Sequence, residues 1–252
     1  MPLSLRRWTL CLALHLGLAV SLSAQSPDSG IAFTFDLGYQ AHFESPDGLN
    51  FVVGRYNETR NFLTSEMEPF DQFSGLTGSL GAYLAWLYFD LGFNRRAQER
   101  SAEGVLNGQA TVRGVRTTNY GVYLSAGVAL ASNGVAAPFK MMAVTAGMRS
   151  EFSATRFSTR TGPADQVGSL DWEEVENDLR FYVGPFVKFT LGPLVVEPYY
   201  LFDVDFSDLP SVGLLSLNEE INPSTFQRDP DPTYGGGGFG LRIAAILYLG
   251  SG

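Results

Sequence analysis

Nine charged residues in this chain occupy one side of alternating apolar stretches: Asp36, Asp90, Glu151, Glu197 and Asp203, and against them Arg149, Arg180, Lys188 and Arg242. Successive side chains of a β-strand point to opposite faces, so these nine share the face that the greasy residues avoid. Charges enclosed by a sheet must be paired, which predicts an internal salt-bridge network. The other use of such a face is a narrow polar path for ions or small solutes. His42 has the same parity, and Glu44 and Ser45 follow it. That trio is the grouping closest to an acid, a base and a nucleophile in mutual reach. A hydrolase acting on lipid needs such a group on the apolar side, and His42 has the opposite parity. The expectation is a protein without catalytic, cofactor or metal residues.

The elements that position these charges read as eight strands, at about 31–43, 74–84, 87–96, 116–130, 139–152, 177–191, 194–206 and 234–249. The last is the clearest, with Phe239, Leu241, Ile243, Ala245, Leu247 and Leu249 on one side and Gly240, Arg242 and Ala244 on the other. Three connections are short, near 85–86, 131–138 and 192–193, the second marked by Asn133-Gly134. Asn-Gly tolerates positive φ and signals a hairpin. Four connections are long and polar, at about 44–73, 97–115, 153–176 and 207–233. Pro185 and Pro198 fall within strands, lack an N–H, and predict bulges or weakened pairing.

Short and long connections alternating between about ten-residue strands is the pattern of a transmembrane β-barrel. A soluble ligand-binding barrel carries its apolar face inward instead. Here the polar face is rich in glycine (Gly38, Gly81, Gly92, Gly121, Gly127, Gly147, Gly184, Gly240), which suits a narrow lumen better than a watery exterior. The apolar face is nearly free of charge at strand centres. It carries two aromatic bands, Phe43, Phe93, Tyr120, Phe152, Phe181, Phe206 and Phe239 toward the long loops and Phe33, Trp86, Phe89 and Phe189 toward the turns. The fold class is therefore all-β, an eight-stranded antiparallel up-and-down transmembrane barrel. Leu49-Asn-Phe51-Val-Val53 and Val212-Gly-Leu214-Leu215 interrupt polar loops, as strand extensions, a ninth and tenth strand, or contact sites.

Residues 1–24 read as a cleavable export signal, with basic Arg6 and Arg7, an apolar run from Trp8 to Leu22, and Ser23-Ala24 before the cut. The run is shorter than the roughly 20 residues of a spanning helix. Residues 25–252 form the barrel. The single cysteine, Cys11, and His15 leave with the signal, so the mature chain has no disulfide and no thiolate nucleophile. The formal charge is −9, and losing Arg6 and Arg7 makes the mature chain more acidic still, which excludes nucleic acid as a partner. The long loops carry much of that charge, including Glu66, Glu68, Asp71, Glu173, Glu174, Glu219 and Glu220.

In signal, strand number, short turns and long loops, the chain resembles the small outer-membrane β-barrel proteins of the OmpA/OmpX/OmpW type. The resemblance spans the whole mature chain but rests on architecture, not on a short motif. It implies a bacterial, Gram-negative outer membrane, with short turns periplasmic and long loops extracellular. It implies two kinds of partner: outer-membrane lipid and the barrel-assembly machinery. It implies a non-enzymatic structural or adhesive role, with an extracellular ligand or surface partner at the acidic loops. A narrow channel is the alternative. One departure concerns the terminus: such proteins often end on an aromatic residue, whereas here Tyr248 is followed by Leu-Gly-Ser-Gly.

Overall fold

The computed structural model describes residues 31–44, 46–132, 142–204 and 237–251. The export signal, Ser45, the Asn133-Gly134 turn, Phe206, and the fourth long connection with Val212-Gly-Leu214-Leu215 lie outside them. The chain closes into an antiparallel ring of eight strands: β1 (Ile31–Phe43), β3 (Gln72–Leu84), β4 (Leu87–Leu106), β5 (Gln109–Ser132), β6 (Met142–Pro163), β7 (Glu173–Leu191), β8 (Leu194–Asp203) and β9 (Gly237–Ser251). The sheet closes because β4 pairs with β5 and β1 pairs with β9. A ninth strand, β2 (Leu63–Ser65), pairs only with the outer end of β4 and lies outside the ring.

The pleat sorts side chains as the alternation predicts. Along β1, Thr34, Asp36, Gln40 and His42 are buried while Phe33, Leu37, Tyr39 and Phe43 are exposed. Leu76, Leu80, Leu91, Val122, Leu124, Ile243 and Leu247 continue the apolar exterior around the ring. A continuous apolar belt of this extent is incompatible with water and is what hydrocarbon requires. Among the described residues no helix is long and apolar enough to cross a membrane; the strands do so. The aromatic bands lie on this exterior with one correction. Phe181 is buried, its ring 4.6 Å from that of its cross-strand partner Phe152, so it supports the band from beneath.

The β7–β8 ladder is interrupted on either side of Phe186–Tyr199, the stretches that hold Pro185 and Pro198. Their missing N–H groups account for the gaps.

The long connections are the main revision. Residues 97–115 are not a loop. β4 and β5 stay in register from Leu87–Val128 to Leu106–Gln109, and reverse at Asn107-Gly108, both with positive φ. That is the turn geometry for which Asn-Gly is favoured. β6 likewise runs to Pro163, and β7 starts at Glu173. Four strands thus rise beyond a rim at which β1, β3 and β8 have ended. The ten residues of β4 beyond Arg96 represent roughly 30 Å of strand. We call this wall the hood.

The polarity of the hood inverts without a change of parity. Inward positions that are polar within the barrel become Ala102, Val115 and Phe157 above it. Outward positions that are apolar below become Glu99, Arg116, Arg156 and Arg160. Arg95, exposed beside Tyr120, sits where the outward face changes character. Water, not lipid, bathes the strands from that level upward.

The first long connection fills the hood. Leu49-Asn-Phe51-Val-Val53 is neither a strand extension nor an extra strand but part of helix α1 (Asp47–Thr59). Its apolar positions Leu49, Val52, Val53 and Tyr56 pack with Met67, Phe70 and Phe73 against Ala102, Val115 and Phe157. A helical period of three to four, short and embedded in polar residues, was hard to separate from a buried strand. Residues 66–71 then run extended past the helix. Asn50 and Asn57, two turns apart, each donate and accept with the backbone of this strap: Asn50 with Phe70 at 2.8 and 2.7 Å, Asn57 with Met67 at 2.9 and 3.0 Å. The two amides stand in for a neighbouring strand. Arg100 holds the strap from β4 through Asp71 (2.9 Å) and the Pro69 carbonyl (3.0 Å).

Replacing Asn57 with Ala leaves the Met67 N–H and carbonyl unpaired, a loss of about 1–3 kcal/mol. Amide exchange at residues 66–71 is expected to accelerate by roughly fivefold or more, with exchange in the membrane strands unchanged.

Candidate functional site

Seven of the nine predicted charges converge in the middle of the barrel. Arg242, from β9, reaches Asp36 (2.6 Å), Asp90 (3.5 Å) and Glu197 (3.8 Å). Lys188, from β7, reaches Asp36 at 3.4 Å. Arg149, from β6, reaches Glu151 (3.0 Å) and Glu197 (3.4 Å). The strand-to-strand registers bring them together: Glu197 faces Arg242 across β8–β9, and Gln40 faces Arg242 across β1–β9. Ser79 donates to the second oxygen of Asp36 at 2.8 Å.

Arg180 and Asp203 do not join this cluster. They pair with each other at 3.0 Å, nearer the rim, between β7 and β8.

The eighth member of the cluster is Arg96, which contacts Glu151 and lies 3.4 Å from Asn119. Its inward parity was legible, but it stood at the point where the apolar alternation of β4 ends. With it the central network holds four acids (Asp36, Asp90, Glu151, Glu197) and four bases (Arg96, Arg149, Lys188, Arg242), all essentially without solvent exposure. Equal numbers are what a water-poor interior demands, since each unpaired ion there costs several kcal/mol.

Aromatic rings complete the filling. The Arg149 guanidinium lies 3.6 Å from the centre of the Tyr123 ring and 4.6 Å from that of Tyr199. The Tyr123 hydroxyl accepts from Arg242 at 2.5 Å, and that of Tyr88 accepts from Lys188 at 2.5 Å. Gly92 and Gly240 make room for these rings. A Cβ at Gly92 would lie 2.3 Å from Tyr123, and one at Gly240 2.0 Å from Tyr199. These two lumen glycines therefore clear space for tyrosines.

Both ends of the charged layer are closed. On the turn side, Tyr83, Tyr88, Phe186, Val195 and Ile246 form an apolar floor, with Tyr83 and Tyr88 4.8 Å apart. On the loop side, Phe70, Phe73 and Phe157 lie under α1. His42 is buried at the outer edge of the charged layer, 3.1 Å from Glu44 and stacked on Tyr199 at 5.8 Å. Among the described residues no group of His, Cys, Asp and Glu has the makings of a metal site.

Four of the acidic loop residues are engaged. Glu58 pairs with Arg55, Glu68 and Asp71 with Arg100, and Glu174 with Arg156. On the outer face of the hood, Trp172 lies over Arg116 (4.0 Å) and Arg160 (4.4 Å), and both arginines pair with Glu99. This cluster pins the β6–β7 connection back onto the wall.

No protein-family model matches the sequence. No curated protein matches it either. Among solved structures, two of Ail, the attachment invasion locus protein of Yersinia pestis, are similar to this chain, one of them in complex with the heparin analogue sucrose octasulfate. Each is 7% identical in sequence and covers 88% of this chain and 100% of Ail, with TM-scores of 0.34 and 0.33.

Replacing Arg242 with Met strands Asp36, Asp90 and Glu197 with one fewer cation. Breaking a buried pair in this way costs about 3–5 kcal/mol. Urea unfolding in lipid vesicles is expected to show that loss, with a smaller one for Arg180→Met at the rim.

Proposed function

We propose that this protein is a non-enzymatic barrel of the bacterial outer membrane whose working part is the hood, in a structural or adhesive role at the cell surface. The observation that carries this reading is the contrast between the two halves. The lumen is filled with paired charge and closed by a floor and a cap, so it offers no continuous aqueous path. The wall above it is long, ordered and turned toward water on its outer face. A chain that only needed to close a barrel has no use for roughly 30 Å of additional paired strand.

On this reading residues 1–24 direct export and are removed, the assembly machinery inserts residues 25–252, and outer-membrane lipid surrounds the apolar belt. The charged lumen acts as a plug that fixes the register of the strands. His42 faces the lumen and not the lipid, which supports a non-catalytic assignment. No cofactor is invoked. The extracellular partner meets the convex face or tip of the hood, where Val105 and Leu106 are exposed beside the Asn107-Gly108 turn. Because Glu58, Glu68, Asp71 and Glu174 pair with arginine, the partner meets a surface of mixed charge, not a purely acidic one.

Two measurements test this. Purified protein in planar bilayers is expected to give no steady openings. Steady conductance that changes with Arg149→Met or Arg242→Met would establish the channel instead. Cells displaying the protein are then compared with cells in which residues 99–116 are replaced by a two-residue Asn-Gly turn. Adherence to other cells and to immobilised matrix proteins and polysaccharides is expected to fall to background, with heat-modifiable gel migration retained. Unchanged adherence would remove the hood from the function.

A further inference from the structure

The outer ring of the lumen, where barrel meets cap, contains His42, the side-chain type that takes up a proton on mild acidification. His42 is 1% exposed, and neither ring nitrogen has hydrogen-bonding geometry to any partner, although Nε2 lies 3.1 Å from Oε2 of Glu44. The groups that face it come from several strands. β8 contributes Tyr199, stacked on the imidazole. β4 contributes the cation Arg96 and β6 the anion Glu151, both within electrostatic reach. β3 and β9 contribute Phe73 and Gly240, its neighbours in register, neither of which carries charge.

Glu151 is already committed. One oxygen contacts Arg96 and the other pairs with Arg149. The anion left for an imidazolium is Glu44, whose Oε1 is buried without a partner. Protonated His42 would thus sit desolvated beside Arg96, with one carboxylate to compensate. A desolvated cation next to another cation is costly, and Glu44 offsets only part of that.

Glu44 is also the point at which the cap is attached. Its N–H donates to the Asp71 carbonyl at 3.0 Å, at the end of the strap, and α1 begins three residues further on. Phe73, beside His42 in register, belongs to the apolar cluster under α1. Water that reaches His42, or a shift of Glu44 toward it, therefore disturbs the seat of the cap.

We propose that His42 is a proton-responsive latch. Neutral, it leaves α1 and the strap seated over the lumen. Protonated, it unseats them and admits water to the outer ring, while the floor stays closed. Acidification of the exterior thereby changes the surface presented inside the hood.

The test uses the full chain with Cys11→Ser and Glu58→Cys, carrying a nitroxide on the exposed face of α1, in lipid nanodiscs. Label mobility is followed as pH falls through the histidine range. The mobile fraction is expected to rise severalfold. His42→Gln is expected to abolish the rise. Glu44→Gln is expected to move it to higher pH, because the seated imidazolium then lacks the carboxylate that offsets part of its cost. A flat wild-type profile overturns the latch, as does a rise that persists in His42→Gln. Should His42→Gln fail to fold, Glu44→Gln decides alone, and a transition that stays in place or moves to lower pH overturns the proposal.

Discussion

An eight-stranded closed sheet encloses a space about as wide as its own side chains, and the surrounding lipid supplies no hydrogen bonds to anything placed there. The central ion network of this barrel follows from filling that space with charges that compensate one another. Acids and bases from six strands meet in equal number in the middle. Tyrosines fill what the charges leave, laid over glycines that could not carry a Cβ. The network adds little net stability against an apolar filling, because each ion has been removed from water. Its stronger effect is on specificity. A slip of one residue on any contributing strand would turn a charge into lipid and leave its partner alone.

The inward and outward sets of β1, β3 and β9 were legible in the sequence because lipid enforces alternation strictly. The same physics made Asp36, Asp90, Arg149, Glu151, Lys188, Glu197 and Arg242 recognisable as a group. What alternation could not show is where a strand ends once it leaves the membrane. Residues 97–115 read as a loop because their outward face turns polar. Yet Asn107-Gly108 marked the hairpin, and the β-branched residues Thr111, Val112 and Val115 were compatible with strand. Arg96 was missed for the same reason, standing at the border between the two regimes. Helix α1 was misread for another. Its short apolar run has no sheet of its own to face; it packs on a surface built from residues fifty or more positions later, such as Ala102, Val115 and Phe157. Period alone does not identify such a run.

The boundary between regimes is itself informative. Along β4, β5 and β6 the pleat continues without a slip past the membrane edge, but the meaning of each face reverses. Below Arg95, apolar residues face out because lipid is outside. Above it they face in, because water is outside and α1 is inside. A single strand thus serves two opposite environments by exchanging residue types at constant parity. This makes the extramembrane wall continuous with the membrane anchor, since the β4–β5 and β5–β6 ladders cross that level without a break, and the register shift of β6–β7 at Phe157–Ser158 lies higher, in the hood.

Continuity of that kind constrains how the cap can move. The wall strands are fixed by their ladders, whereas α1 and the strap are held by a short apolar face and a handful of polar contacts, from Asn50, Asn57, Gln98, Arg100 and the Glu44 N–H. Local opening is drawn from the parts of a structure with few buried contacts and replaceable polar bonds. By that criterion the cap is the element that can detach without unfolding the barrel, and the lumen network is the element that cannot. His42 and Glu44 lie on the seam between them. A charge appearing at this seam acts on the weaker side. Among the described residues the barrel carboxylate nearest that level is Glu151, already shared by Arg96 and Arg149.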